Sequence, residues 1–172
     1  MSQIATFHTL PEEQSDALLA AATPEIKIIE KRTFLFKKKV EERVDRFWDF
    51  LDEHATEQER CQYSGAGFCD LDLALEEKGC MLLDFGSCDL ANKISEARAA
   101  STAVFDHHAA TAALAKLNEV GLSEGEVRKY YQENNPPEDE DLGTEAVLAA
   151  FDISRKWLAS VCEREIGLLI VG

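Results

Sequence analysis

The sequence predicts an α+β fold in which a small mixed sheet, including both terminal strands, packs against several amphipathic helices. Short β-rich segments at the two ends of the chain, and helical periodicity with capping residues between them, are the observations behind this prediction. The chain has 172 residues, which suits one domain, and no linker-like segment divides it. Residues 1–172 are therefore expected to form a single domain with its own core.

The chain begins with a strand and a helix. Residues 3–8 alternate in hydropathy, which predicts a short strand. Residues 9–12 carry the Thr-x-x-Glu pattern of a helix start, with a proline in the first turn, and this helix should end near Ala22. Residues 25–30 are rich in isoleucine and predict a second strand.

The clearest helical pattern covers residues 40–51. Apolar side chains recur there at the spacing of one helix face, at Val40, Val44, Phe47, Trp48 and Leu51. The polar residues 55–67 predict a surface loop, and residues 68–75 alternate weakly, which suggests a strand. The compact apolar run 80–85 predicts a buried strand.

Helix caps organise the following segments. Residues 90–100 predict a helix, and residues 102–105 either form a short strand or continue that helix. Asp106 predicts the N-cap of a helix that ends near Glu119. A capping box at residues 123–126 predicts another helix, which runs through Tyr131.

The last part of the chain holds a break, a long helix and a strand. Residues 134–141 contain two prolines and four carboxylates, which predicts a mobile acidic loop. The core face of the long helix is marked by Val147, Leu148, Phe151, Leu158, Val161 and Cys162. Residues 166–171 predict an apolar terminal strand that pairs near the first strand.

The balance of charge limits the expected partners. The chain carries 33 acidic and 18 basic residues, for a formal net charge of −15. Such a surface disfavours nucleic acid and anionic membranes, and it permits a basic protein partner or a cation. No apolar run reaches the length of a spanning helix, and no signal-peptide core is present, so we expect a cytoplasmic protein.

The cysteines argue against a structural metal site. The five cysteines lack the Cys-x-x-Cys spacing of zinc knuckles, so we expect reduced thiols, no metal and no cofactor. Cys80 and Cys162 fall in apolar patterns and are expected in the core. Cys69 and Cys88 are the better candidates for a reactive thiol.

Three clusters of ionisable residues could carry chemistry. Asp70 and Asp72, two apart on an expected strand, would form either a cation site or an exposed strand face, and exposure is favoured. His107 and His108 follow Asp106 and could bind a metal, but neighbours on a helix point about 100° apart, which favours a core or boundary histidine. The end of the Trp48 helix could form an acid/base group, although a solvated helix end is favoured, at Asp49, Asp52, Glu53 and His54.

Four segments together resemble one known family. A strand with Phe7 runs into an acidic helix with Leu18 and Leu19, and a Trp-centred helix follows at residues 46–51. Residues 113–117 and 126–131 form a helix pair, and a long helix leads into the strand 169–172. In this order the chain resembles the YfbM-like family, bacterial proteins of unknown function. The resemblance implies a single α+β domain and brings no established reaction.

The sequence favours a non-enzymatic, acidic protein-binding domain. Its most concrete form is an immunity-type antitoxin that occludes a toxin with a basic cleft. Aromatic anchors beside an acidic loop are typical of such interfaces. The expected partner-binding residues are Tyr130, Tyr131, Glu138, Asp139, Glu140 and Asp141.

Two alternatives stay open. One is a small hydrolase or transferase with a carboxylate/histidine site, formed by Asp49, Glu53, His54, His107 and His108. The other is an acidic housekeeping subunit, which would form a stable homo-oligomer without an outside partner.

Overall fold

An antiparallel sheet joins the two ends of the chain. Its strands are β1 (Ala5–Pro11), β4 (Thr56–Glu57), β5 (Ser101–Asp106) and β6 (Glu165–Val171), in the order β4-β1-β6-β5. The computed structural model describes residues 4–33, 36–63, 65–76, 78–134 and 140–172, without the side chains of 30–33 and 36–38. The expected α+β class and the pairing of the terminal strands are confirmed, from Ala5 opposite Val171 to Pro11 opposite Glu165. All three pairings are antiparallel, so these strands contain no parallel pair of the kind that a mixed sheet holds.

Helices cover both faces of this sheet. They are α1 (Ser15–Ala22, after a 3-10 turn at Glu12–Gln14), α2 (Phe47–His54), α3 (Ala66–Glu76), α4 (Leu82–Phe85), α5 (Asp89–Arg98), α6 (His107–Val120), α7 (Glu124–Asn134) and α8 (Glu140–Ala159). No helix in the described ranges has both the length and the apolar character that crossing a bilayer requires.

The sheet has two distinct faces because side chains alternate along each strand. One face, the Phe7 face, packs against α3, α6 and α8 and consists of Ala5, Phe7, Ala103, Phe105, Leu169 and Val171. The opposite face, the Thr6 face, packs against α1, α2 and α5 and consists of Thr6, His8, Thr102, Val104, Leu168 and Ile170. Burial of these two apolar surfaces is the main stabilising term of the fold.

A separate two-stranded ribbon corrects the helix predicted at residues 40–51. β2 (Glu25–Thr33) pairs with β3 (Phe36–Val44), and the helix begins only at Phe47. Val40 and Val44 are four apart, a spacing that fits alternate positions of a strand as well as one turn of a helix. Pairing with the isoleucine-rich β2, where Ile29 lies opposite Val40, decides between the two.

Two further predictions are wrong for a long-range reason. Residues 68–75 belong to α3, and the run 80–85 forms the short helix α4 instead of a buried strand. The carboxylate of Asp72 accepts hydrogen bonds from the backbone N–H groups of Leu82 (2.6 Å) and Leu83 (2.9 Å), which caps α4 from another helix. Asp70 and Asp72 therefore lie on a helix, and Asp72 is buried.

Two of the three predictions that rest on local caps are confirmed. The one at residues 9–12 is wrong, because β1 continues to Pro11 and no side chain caps the 3-10 turn Glu12–Gln14. The Asp106 carboxylate accepts a hydrogen bond from the Ala109 N–H at 2.7 Å and begins α6. Ser123 and Glu126 form the capping box of α7, with each side chain accepting from the other residue's backbone N–H (2.9 and 3.3 Å). Residues 102–105 form a strand and do not continue α5.

Candidate functional site

The two tyrosines expected to anchor a partner lie in different environments. Tyr131 is buried, and its ring packs so closely on Gly143 of α8 that a Cβ there would overlap it. Tyr130 is half-buried and lines a groove between α3 and α7. Only Tyr130 can therefore contact a partner without a change in the packing of α7 against α8.

The acidic residues predicted beside these tyrosines are partly neutralised. Glu140 and Asp141 begin α8, and both accept hydrogen bonds from Nη1 of Arg128, at 2.8 and 2.7 Å. With Glu124 they hold the pKa of Arg128 well above its usual range. Glu138 and Asp139 lie outside the described residues, as does the centre of the predicted loop, while Asn134 ends α7.

The carboxylate/histidine cluster of the enzyme alternative is not brought together. Asp49, Glu53 and His54 are exposed on α2, which packs against the Thr6 face of the sheet. His107 and His108 begin α6, which packs against the Phe7 face, and Nδ1 of His107 lies 2.8 Å from the carbonyl oxygen of Val161. The described residues contain no group of three or more side chains arranged to hold a metal ion.

The two cysteines predicted to react lie in different environments. Burial raises the pKa of Cys69, which disfavours the nucleophilic thiolate. Cys88 is exposed, and its Sγ accepts a hydrogen bond from the Ala91 N–H at the start of α5. Cys80 is buried as predicted, whereas Cys162 is exposed because it lies beyond the end of α8.

A cleft of about 380 Å³ opens at the end of the sheet where β1 begins and β6 ends. We call it the Trp48 cleft. Its walls come from β1, α2, the segment after β4, the end of α5 and the end of β6. The residues that line it are Ile4, Thr6, Phe47, Trp48, Arg60, Arg98, Ala99, Ala100, Ile170 and Gly172.

The apolar wall of this cleft is formed by neighbouring aromatic residues. Phe47 is buried, while Trp48 is 47% exposed, with the two rings in a T-shaped contact at 5.3 Å. Residues adjacent in a helix point about 100° apart, so Phe47 and Trp48 cannot both enter one core. The prediction that Trp48 lies on the core face is therefore wrong, and its ring is available to a ligand.

Two guanidinium groups line the same cleft. Arg98 ends α5, donates from Nη1 to Asp45 at 2.6 Å and stacks over Phe47, with 4.7 Å between Cζ and the ring centroid. Arg60 binds both carboxylate oxygens of Glu57, at 2.6 and 3.1 Å. These hydrogen bonds lower the pKa of Asp45 and of Glu57. With the described residues, Nη2 of Arg98 and Nη1 of Arg60 make no hydrogen bond, so each retains donors for an anion.

The floor of the cleft contains a buried hydroxyl without a partner. Thr6 is 8% exposed, and its Oγ1 makes no hydrogen bond with the described residues. Two other buried atoms on this face also make no hydrogen bond with the described residues: Oγ1 of Thr102, on the other side of β6, and Nε2 of His8. Burial lowers the pKa of His8, which keeps its imidazole neutral near pH 7.

Ala99 adds a strained position to the cleft wall. It follows Arg98 at the end of α5 with φ of 51°, in the left-handed region that glycine usually occupies. Strained backbone is often retained where it positions a binding group, and here it turns the chain directly after Arg98.

No protein-family model, no curated protein and no solved structure matches this chain. The resemblance to the YfbM-like family therefore stays a prediction. What the cleft could bind follows from its own side chains: an aromatic wall, two cations and an unpaired hydroxyl.

Sequence reasoning missed Thr6, Arg60 and Arg98 as site residues. They come from three distant segments, and nothing local marks them as neighbours. The one available signal was the Phe47-Trp48 pair, because a short helix leaves one of two adjacent aromatic rings outside the core.

Proposed function

We propose that this chain is a binding protein whose Trp48 cleft holds a small organic anion. The ligand would combine a flat apolar body with a carboxylate or phosphate group. The observation that carries the proposal is that the half-exposed ring of Trp48 and the guanidinium of Arg98 line the same cleft.

The apolar part of the ligand would pack on Trp48. A half-exposed tryptophan beside the exposed Ile4 presents apolar surface that water solvates poorly. The volume of about 380 Å³ is within the range of small-molecule sites, roughly 300–1,000 Å³. A planar ring is favoured because indole stacks well on other aromatic systems.

The anionic part would contact the guanidinium groups. Arginine recognises carboxylate and phosphate through paired N–H donors, and its donors are strongest where water is partly excluded. The Arg98 side chain is only 13% exposed. No carboxylate occurs among the described lining residues, although the whole chain carries a net charge of −15.

The Thr6 hydroxyl would supply a specific contact after a small movement of the side chains that shield its Oγ1 from the cleft. A buried hydroxyl without a partner costs about 1–3 kcal/mol, which a ligand oxygen would relieve. The described lining residues include no histidine, cysteine, lysine or carboxylate to act as base or nucleophile, and this favours binding over catalysis.

The first test compares three naphthalene probes by calorimetric titration of the full chain. We expect 2-naphthoate and 1-naphthyl phosphate to bind and the neutral 2-naphthalenemethanol to bind at least about tenfold more weakly, since it lacks the charge that pairs with arginine. Equal affinities for the three probes, or binding by none of them, would contradict the proposal.

Matched variants then locate the site. Thr6→Val should weaken naphthoate about fivefold, whereas Thr102→Val, which removes an equivalent hydroxyl outside the cleft lining, should leave binding unchanged. Trp48→Ala should abolish binding, and Leu73→Ala, at a residue of similar exposure on α3, should not. Unchanged binding in Thr6→Val and Trp48→Ala would show that the site lies elsewhere.

A basic protein partner is the second candidate function, and a groove of about 540 Å³ between α3 and α7 favours it. The groove presents the exposed Leu73 and the half-buried Tyr130 beside Glu76. Two lysines also line it, with Lys78 paired to Glu126 and Lys129 paired to Glu133. Such a surface suits a basic segment with an apolar side chain, which is what an immunity-type antitoxin would require. Capture of one basic partner in stoichiometric amount, weakened by salt and by Glu76→Lys with Glu133→Lys, would support it.

A further inference from the structure

The β2–β3 ribbon stands apart from the rest of the fold. Its two strands pair over nine registered positions, and neither strand packs to a comparable extent on another described element. An isolated two-stranded ribbon is marginally stable in water, because one of its faces has little to bury against. A ribbon of this length therefore gains stability from any surface that covers it.

One face of the ribbon combines exposed isoleucines with opposite charges. Ile26 and Ile28 are 69% and 67% exposed, the two highest values among the large hydrophobic residues that the structure describes. Arg43 lies opposite Ile26, and Glu41 lies opposite Ile28. Alternation along the strands places these four residues on the same face, which we call the Ile26 face.

We propose that the Ile26 face packs against the same face of a second copy of this chain. Consider a twofold axis that lies parallel to the Ile26 face, perpendicular to the strands, and passes between the pairs Ile26–Arg43 and Ile28–Glu41. This axis places each pair of one copy over the other pair of the second copy. It places Ile26 over Ile28 of the second copy and Glu41 over Arg43 of the second copy, and it generates the reciprocal contacts as well. Apolar groups meet apolar groups and each charge meets its opposite, which is what an isologous interface requires.

Other occupants of the Ile26 face are less favourable. The net charge of −15 repels nucleic acid from the body of the protein. An unrelated protein would have to supply by chance a partner for the alternating Ile26 face, whereas a copy of the chain supplies that partner by symmetry.

The experiment is sedimentation velocity of the full chain over a concentration series. Wild type should show a reversible monomer–dimer equilibrium. Glu41→Arg and Arg43→Glu should each raise the dimer dissociation constant about tenfold, because each places like charges against one another across the axis. The double variant Glu41→Arg/Arg43→Glu should restore the dissociation constant to within about twofold of wild type.

A matched control and two outcomes keep the test decisive. Glu42→Arg, exposed on the opposite face of the ribbon, should leave the dimer unchanged. A wild type that stays monomeric up to its solubility limit, or a double variant as weak as the single ones, would overturn the proposal. If the protein stays monomeric and its ribbon binds heparin or duplex DNA with an affinity that Ile28→Asn does not weaken, the partner of the ribbon is a polyanion instead.

Discussion

The two faces of the four-stranded sheet differ in how many of their buried polar atoms make hydrogen bonds. Next to the Phe7 face, the Thr9 hydroxyl accepts from Gln58 at 3.1 Å and the Trp157 indole N–H donates to the Glu59 carbonyl at 2.8 Å. On the Thr6 face, Thr6, Thr102 and His8 each have a buried polar atom without a hydrogen bond to the described residues. Folded proteins satisfy nearly all such atoms, so three unsatisfied ones on one face need an explanation.

This difference in hydrogen bonding separates the Phe7 face, which stabilises the fold, from the Thr6 face, at whose end we propose a binding site. On the Phe7 face, Trp157 stacks between Phe68 and Phe7, at centroid distances of 5.1 and 5.4 Å. The Thr6 face ends at the Trp48 cleft, which Thr6 lines. Buried polar side chains without a hydrogen bond to the described residues are therefore more numerous on the Thr6 face, and Thr144 of α8 is the one beside the Phe7 face. Such a departure from optimal packing is expected near a binding site.

The largest expected effect separates the two tryptophans. Trp157→Ala should lower the free energy of unfolding by about 3–5 kcal/mol, because it removes a buried stack and leaves a cavity. Trp48→Ala should change the free energy of unfolding by less than about 1 kcal/mol, since its ring is half exposed. Urea unfolding monitored by far-ultraviolet circular dichroism measures both. Similar losses in the two variants would break the comparison between the faces.

Asp72, on the Phe7 side of the sheet, should give the next largest effect. Burial raises its pKa to about 6, even though two backbone N–H groups donate to its carboxylate. Because the folded pKa exceeds the unfolded value of about 3.8, this contribution to stability is complete below pH 4 and is lost as the pH rises through 6. Its upper limit is about 3 kcal/mol.

The matched variant for this prediction is Asp72→Asn, which keeps an acceptor for the α4 cap and removes the titration. The free energy of unfolding of wild type minus that of Asp72→Asn should increase between pH 7 and pH 4.5. A difference that stays constant over this range would show that Asp72 keeps an ordinary pKa in the folded chain.

The parts of the fold that local chemistry specifies were predictable from the sequence. The caps at Asp106 and Ser123 predicted α6 and α7, because their hydrogen bonds join residues three apart. The α4 region was not predictable, since its cap comes from Asp72, ten residues away on α3. β3 was mistaken for a helix because two valines four residues apart satisfy both periods, and only the pairing with β2 distinguishes them.

The candidate site was less predictable than the fold for the same reason. Thr6, Trp48 and Arg98 meet only after three segments have packed, and each has an ordinary local context. Tyr131 was expected at a surface, and its burial depends on Gly143 of α8, which leaves room for the ring. Long-range packing thus decides which of two adjacent aromatic residues is exposed, both at Phe47-Trp48 and at Tyr130-Tyr131.

Removal of a threonine hydroxyl should change the free energy of unfolding in opposite directions on the two faces. Thr6→Val and Thr102→Val should each raise the free energy of unfolding by about 1 kcal/mol, because an unsatisfied buried hydroxyl is replaced by a methyl group. Thr9→Val should lower it by a similar amount, because Gln58 loses its acceptor. Thermal and urea unfolding of the three variants would check this. If Thr6→Val proved destabilising, the Thr6 hydroxyl would have a partner in solution.

The smallest expected effect comes from His8 and has the opposite pH dependence to that of Asp72. Burial lowers the pKa of His8 and outweighs the opposing charges of Glu57 and Asp52. Below pH 6.5 the imidazole of the unfolded chain binds a proton, whereas the buried imidazole of the folded chain stays neutral. The contribution of neutral His8 to the free energy of unfolding is therefore complete above pH 6.5 and is lost as the pH falls toward the lowered folded pKa. The free energy of unfolding of wild type minus that of His8→Phe should decrease between pH 7.5 and pH 5.5. Because the Asp72 contribution increases over the same interval, wild type alone can show little net slope, and only the two single variants resolve the opposite signs. A rising difference for His8→Phe would mean that the Thr6 face pairs its histidine as fully as the Phe7 face pairs its own buried polar groups.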